Sequence, residues 1–117
     1  MQRRFRLTRG EDFARAREQG KTYQHRLLTL TVNANDLSAN RYGLITSKRL
    51  GNAVARNRTR RLLREAVRQL HPQLNPGFDV VIVARRAVVG QHFLSVSRTL
   101  YELVQQAGLL RVEGKLP

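Results

Sequence analysis

The alternation of apolar and polar positions divides this chain into short elements. From Arg26 to Asn33, Leu28, Leu30 and Val32 alternate with Thr29, Thr31 and Asn33, the two-residue period of a half-buried strand whose second face is polar yet β-branched. Arg41 to Ser47, RYGLITS, reads as a second strand, and the turn-rich stretch Asn35 to Asn40 between them makes a hairpin the simple interpretation. Phe78 to Ala84, FDVVIVA, is a continuous apolar run of strand length, as expected of a central strand. Between these strands, Gly51 to His71 follows the helical period. Ala55, Thr59, Leu62, Leu63, Ala66, Val67 and Leu70 share one stripe, and Asn57, Arg60, Arg61, Arg64 and Arg68 lie opposite, with Arg58 at the edge of the polar arc beside Glu65. Asn52 is placed to cap this helix. Thr8 to Glu11 has capping-box form and Gly20 stands at a stop position, which predicts a first helix over about 10 to 19. Phe93, Val96, Leu100, Leu103, Val104 and Ala107 recur at helical spacing before Gly108, so a last helix is expected within Gln91 to Ala107.

The order αββαβα implies an α+β fold, a two-layer sandwich of helices on a small mixed sheet, formed as one domain over residues 1–117. If the strands flanking the central helix are parallel neighbours, general sterics predict a right-handed βαβ crossover. A chain of 117 residues with 41% apolar content can bury a modest core unaided. The absence of cysteine removes disulfides, thiolate metal sites and thiol nucleophiles. MQRRFRL at the start is followed by no apolar signal-type region, and no apolar run approaches membrane-spanning length, so a soluble, cytoplasmic protein is expected.

Charge changes the picture most. Lys and Arg number 22 against 8 Asp and Glu, a formal +14 spread along the chain. A body so charged seeks a polyanion, and nucleic acid fits because neutralising phosphates releases condensed counterions. An anionic membrane is the weaker alternative, since the basic helix lacks interfacial aromatic anchors. Catalytic constellations are missing. His25, His71 and His92 are far apart without metal-ligand spacing, no phosphate-binding glycine loop occurs, and the adjacent pair Glu11 and Asp12 suits a helix N-terminus better than acid/base work.

The central helix carries six arginines and one glutamate between Gly51 and His71, with Arg56 and Arg58 near the positive end of the helix dipole. A charge run ordinarily marks a solvated face. Such faces mix signs, however, whereas Arg60, Arg64 and Arg68 stack as like charges at i, i+4 and cost stability unless a polyanion is present. Arg56 sits on the flank of the apolar stripe, so either its stem lies along the core edge or it aims at something over the sheet.

The run from Ser47 to Glu65, SKRLGNAVARNRTRRLLRE, resembles the signature of the bacterial ribonuclease P protein subunit, with its Arg-Asn-Arg helix. RLTRGEDF at Arg6 to Phe13, RYGLITSKRLGNAV, and PGFDVVIVAR at Pro76 to Arg85 extend the resemblance over nearly the whole chain. The resemblance implies a small basic protein that binds a catalytic RNA and the 5′ leader of precursor tRNA, with the catalytic groups and the Mg2+ held mainly by the RNA. It implies no small-molecule substrate and no membrane partner, and a left-handed crossover around the basic helix. The implied RNA-facing set is Lys48, Arg49, Asn52, Arg56, Asn57, Arg58, Arg60, Arg61 and Arg64, to which Arg68 is added from the polar face of the helix. For the leader it implies a cleft between the first helix and the polar sheet face, with Phe13, Arg17, Thr29 and Thr31 as candidates. Phe13 serves there as a stacking platform or, equally, as the core anchor of a short helix. Arg17 and Thr31 stand where aromatics are common in relatives, so charge and hydrogen bonds would carry more of the leader binding. A ribosomal protein or RNA chaperone would need the same phosphate-binding face and is the rival reading.

Overall fold

A computed structural model describes residues 2–111. Helix α1 (Gly10–Gln19) leads into strands β1 (Lys21–Gln24), β2 (Leu28–Ala34) and β3 (Arg41–Ile45); helix α2 (Ala53–Leu70), strand β4 (Phe78–Ala84) and helix α3 (Phe93–Gln106) follow. The four strands lie in the order β1-β2-β4-β3. β2 is antiparallel to both β1 and β4, and β3 is parallel to β4. The α+β class with a mixed sheet and a β3-α2-β4 crossover unit is therefore as expected.

Two expectations about the strands change. β2 and β3 do not form a hairpin, because β4 lies between them. The apolar run Phe78–Ala84 gains most from a place where both edges are paired and both faces covered, and Val80, Val81 and Ile82 are nearly sealed there. The connection Asn35–Asn40 carries the chain past β4. Asn35 Oδ1 accepts from Leu37 N at 2.8 Å, and buried Asn40 donates to Asn75 O at 2.9 Å while accepting from Phe78 N at 2.8 Å. The second change is an additional strand, giving the order αβββαβα. β1, KTYQ, is a largely exposed edge strand held by backbone pairing to β2 and by a Thr22–Thr31 hydroxyl contact of 3.0 Å, and so it leaves no hydrophobic period to read.

One sheet face packs Leu28, Leu30, Val80 and Ile82 against Leu63 and Val67 of α2 and Val96, Leu100 and Leu103 of α3. On the other face, Ala16 and Phe13 of α1 join Leu7, Val81, Ile45 and Val83 in a smaller cluster, a partial third layer. Thr8 does not cap α1. The cap position is Arg9, with no side-chain bond, and Glu11 faces Arg9 at 3.6 Å. Gly20 ends the helix as expected, but in extended conformation. The position requires close approach, since a Cβ there would run into the carbonyls of Ala16 and Val32.

An acidic and basic chain ties α1 to the sheet. Asp79, 3% exposed, accepts from Arg41 Nε at 2.9 Å and Nη2 at 2.8 Å and from Asn35 Nδ2 at 3.0 Å. Arg41 Nη1 lies 3.6 Å from Asp12, which also accepts from Arg15 at 3.1 Å. Asp12 is thus a buried partner as well as a first-turn charge.

Candidate nucleic-acid interface

The start of α2 is built by local chemistry. Ser47 caps the turn Lys48–Leu50, and Asn52 Oδ1 accepts from Ala55 N at 3.0 Å, the expected cap. Lys48, Arg49 and Asn52 are all exposed. Along α2, Thr59, Leu63, Ala66, Val67 and Leu70 are buried; Asn57, Arg58, Arg61 and Arg68 are exposed, and Arg60 and Arg64 are half-buried, so the helical stripe reads correctly.

The arginines of the polar face differ in how they are held. Arg60 donates to Thr46 Oγ1 at 2.6 Å and to Asn57 Oδ1 at 2.9 Å, two neutral acceptors that orient the guanidinium without cancelling its charge. Arg64 is pushed below the usual arginine value by burial, then by Arg6 and Arg60, so three cations share one neighbourhood. Arg60 and Arg64 line two adjoining hollows. One, of about 140 Å³, also holds Arg6, Phe13 and Leu44; the other, of about 440 Å³, is completed by Val54, Asn57 and Arg61. Arg68 stands apart from this set. Its Nε donates to Glu65 Oε2 at 3.0 Å and its Nη2 to Oε1 at 2.5 Å, and Gln69 donates to the same carboxylate. These bonds hold the Glu65 carboxyl down at about 2, so the Arg68 charge is neutralised within the chain. Glu65 therefore turns to Arg68 rather than to Arg58. The Arg56 Nε is buried without a hydrogen-bond partner, which places its stem along the core edge.

The candidate leader residues do not share one cleft. Phe13 is half-buried in the hollow with Arg6, Arg60 and Arg64, its ring pressed where a Cβ of Gly43 would otherwise sit. Thr29 lines a different hollow, of about 500 Å³, with Ser47, Arg49, Val83, Arg85 and Arg86. Thr31 is 5% exposed and engages Thr22, so it offers no surface. Arg17 is exposed in the last turn of α1 and lines neither hollow. Sequence reasoning passed over Arg6, Arg85 and Arg86 as site residues. Two adjacent arginines directly after the apolar run of β4 were the available signal for the last two; Arg6 comes to Arg64 only through the fold.

Among the described residues no group of three His, Cys, Asp or Glu could hold a metal ion, and no helix is long and apolar enough to cross a membrane. The acceptors and donors of these hollows are guanidinium, amide and hydroxyl groups, which suit phosphate, not a divalent cation.

A family profile described as Ribonuclease P matches residues 1–108. The chain is 40% identical over 112 residues to the ribonuclease P protein component of Roseiflexus sp. (strain RS-1), covering 95% of this chain and 92% of that protein. It is 31% identical over 109 residues to that of Clostridium kluyveri, covering 92% and 97% respectively. Among solved structures it is similar to the Staphylococcus aureus RNase P protein, with a TM-score of 0.84 at 25% identity over 92% of this chain and 98% of that one. The Thermotoga maritima RNase P protein gives 0.79 at 26% identity, over 93% and 98%.

Proposed function

The chain belongs to the ribonuclease P protein family, and on that premise we propose that it binds the ribonuclease P RNA through the one-sided cationic face of α2 and holds the 5′ leader of precursor tRNA beside it. As a subunit of ribonuclease P it assists RNA-mediated maturation of the tRNA 5′ end. The endonucleolytic chemistry resides on the RNA; this chain contributes binding and orientation.

The observation that carries the reading is that Arg60, oriented by the neutral acceptors Thr46 and Asn57, and Arg6 both crowd Arg64 with like charge. Crowded like charges are unfavourable alone and become favourable when phosphates enter. Lys48, Arg49, Asn52, Asn57, Arg58 and Arg61 extend this surface, and the α2 start adds exposed amides that favour anions. Arg56 contributes from its flank, and Arg68 contributes least, being paired with Glu65. The leader lies over the hollow of Thr29, Arg49, Arg85 and Arg86, with Phe13 and Arg17 toward α1. Mg2+ for the reaction is bound mainly by the RNA. Among the described residues no cluster of His, Cys, Asp or Glu suits it.

The test is to combine the protein with a bacterial ribonuclease P RNA at low Mg2+ and follow cleavage of precursor tRNA. Stimulated, accurate removal of the 5′ leader is expected. RNA binding without stimulation would favour a ribosomal protein or RNA chaperone.

A further inference from the structure

The amino-terminal turn Arg3–Phe5 is docked beside β3, where Leu7 N donates to Tyr42 O at 2.8 Å and Arg6 bridges Tyr42 in parallel. Docking brings the Phe5 ring to the C-terminal end of α2, its centroid 4.6 Å from that of His71 at an interplanar angle of 46°. His71 Nδ1 is 2.7 Å from Tyr42 Oη, and the Arg4 guanidinium lies 4.7 Å from the Phe5 centroid. Gln2, Phe5, Tyr42, Val67, Arg68 and His71 enclose a pocket of about 210 Å³. Its floor, Tyr42 and Val67, is buried; Phe5 and His71 are half-buried walls, and Arg68 and Gln2 form an exposed rim. Apart from Arg68, none of these residues belongs to the phosphate-binding face.

We propose that this pocket receives an unpaired nucleobase of the RNA that lies along α2, an assignment that rests on the RNA-binding reading above. Three features select a base. The walls include the aromatic rings of Phe5 and His71, the kind of surface on which any base stacks, in a site too small for a drug-sized ligand, whose pockets begin at about 300 Å³. The pocket is continuous with the RNA face, since Arg68 on its rim is one helical turn beyond Arg64. A cationic group flanks it, the Arg4 guanidinium at Phe5, as a base with an adjacent phosphate requires. Burial, then Arg111 and Arg4, hold His71 below its ordinary value, so at neutral pH it presents an uncharged ring.

The chain contains no tryptophan, so Phe5→Trp places a sole reporter in the pocket. Ribonuclease P RNA should quench its emission strongly, whereas inorganic polyphosphate, which has charge but no bases, should leave it unchanged. Phe5→Ala should weaken RNA binding roughly 10-fold, within the range for loss of one stacked base, without altering the dependence of affinity on salt. Equal responses to RNA and polyphosphate, or full affinity in Phe5→Ala, would overturn the assignment. Should Phe5→Ala melt well below the parent, Phe5→Leu, which keeps the apolar plug and removes the π face, is read in its place with the same outcomes. If the parent protein itself neither binds the RNA nor stimulates cleavage, the functional reading fails. If the parent does both and the Phe5 variants bind like it, the pocket alone fails.

Discussion

Replacing Arg60 and Arg64 together by alanine should weaken RNA binding and flatten its salt dependence, while leaving the fold nearly as stable. Each phosphate contact contributes about 0.7 to 0.9 to the slope of log affinity against log salt, so two lost contacts should reduce the slope by about 1.4 to 1.8. Extrapolated from 1 M to 0.15 M salt, that slope corresponds to roughly 15- to 30-fold weaker binding. The stability cost is small for structural reasons. Arg60 gives up its bonds to Thr46 and Asn57, about 1 kcal/mol, part of which is regained as the repulsion among Arg6, Arg60 and Arg64 is relieved. The assay is an RNA titration at several KCl concentrations, with thermal melts of the free protein. Glu65→Gln supplies the opposite sign: its carboxyl, held at about 2, is fully charged at neutral pH, and removing that charge frees Arg68, so the slope should steepen. Arg98→Ala, exposed on α3, should change neither quantity. An unchanged slope in the double variant, or an equal loss in Arg98→Ala, would refute the assignment of the α2 face.

The Arg41–Asp79 pair should be asymmetric in urea denaturation. Arg41→Ala leaves a carboxylate, 3% exposed, with only Asn35 and should cost about 3 kcal/mol. Asp79→Ala leaves a guanidinium whose side chain is 25% exposed and still near Asp12, and should cost about half that; equal costs would contradict this account of the clamp. A pH dependence follows from His71, whose folded value lies below its ordinary 6.5. The unfolded chain takes the proton first, so stability should fall as pH is lowered from about 6.5 through the folded value. His71→Gln should remove that part of the decline in melts between pH 7.5 and 5.5, and an identical decline in the variant would exclude His71 as its source.

The legible part of this protein is the part written in local periodicity. α2 declared itself because 18 residues keep one apolar stripe, and its cap was visible in Asn52, whose side chain has a backbone donor three residues away. β4 was recognisable as central because only a strand covered on both faces needs an unbroken apolar run. The polar edge strand β1 carries no such pattern, and its backbone pairing could not be read.

Sequence alone therefore determined the α+β class, the cationic stripe and the resemblance that implies an RNA-facing set, since each depends on neighbours within a few turns or on a continuous motif. Tertiary structure decided which cations act together. It placed β4 between β2 and β3, joined Arg41 to Asp79 across 38 positions, covered Thr31 and brought Arg6 into the field of Arg64. Within α2 itself, Glu65 has several arginines in reach, and side-chain geometry selected Arg68, leaving Arg60 and Arg64 charged for a partner. Burial and charge pairing act through space, and distances between residues remote in sequence exist only once the sheet has assembled.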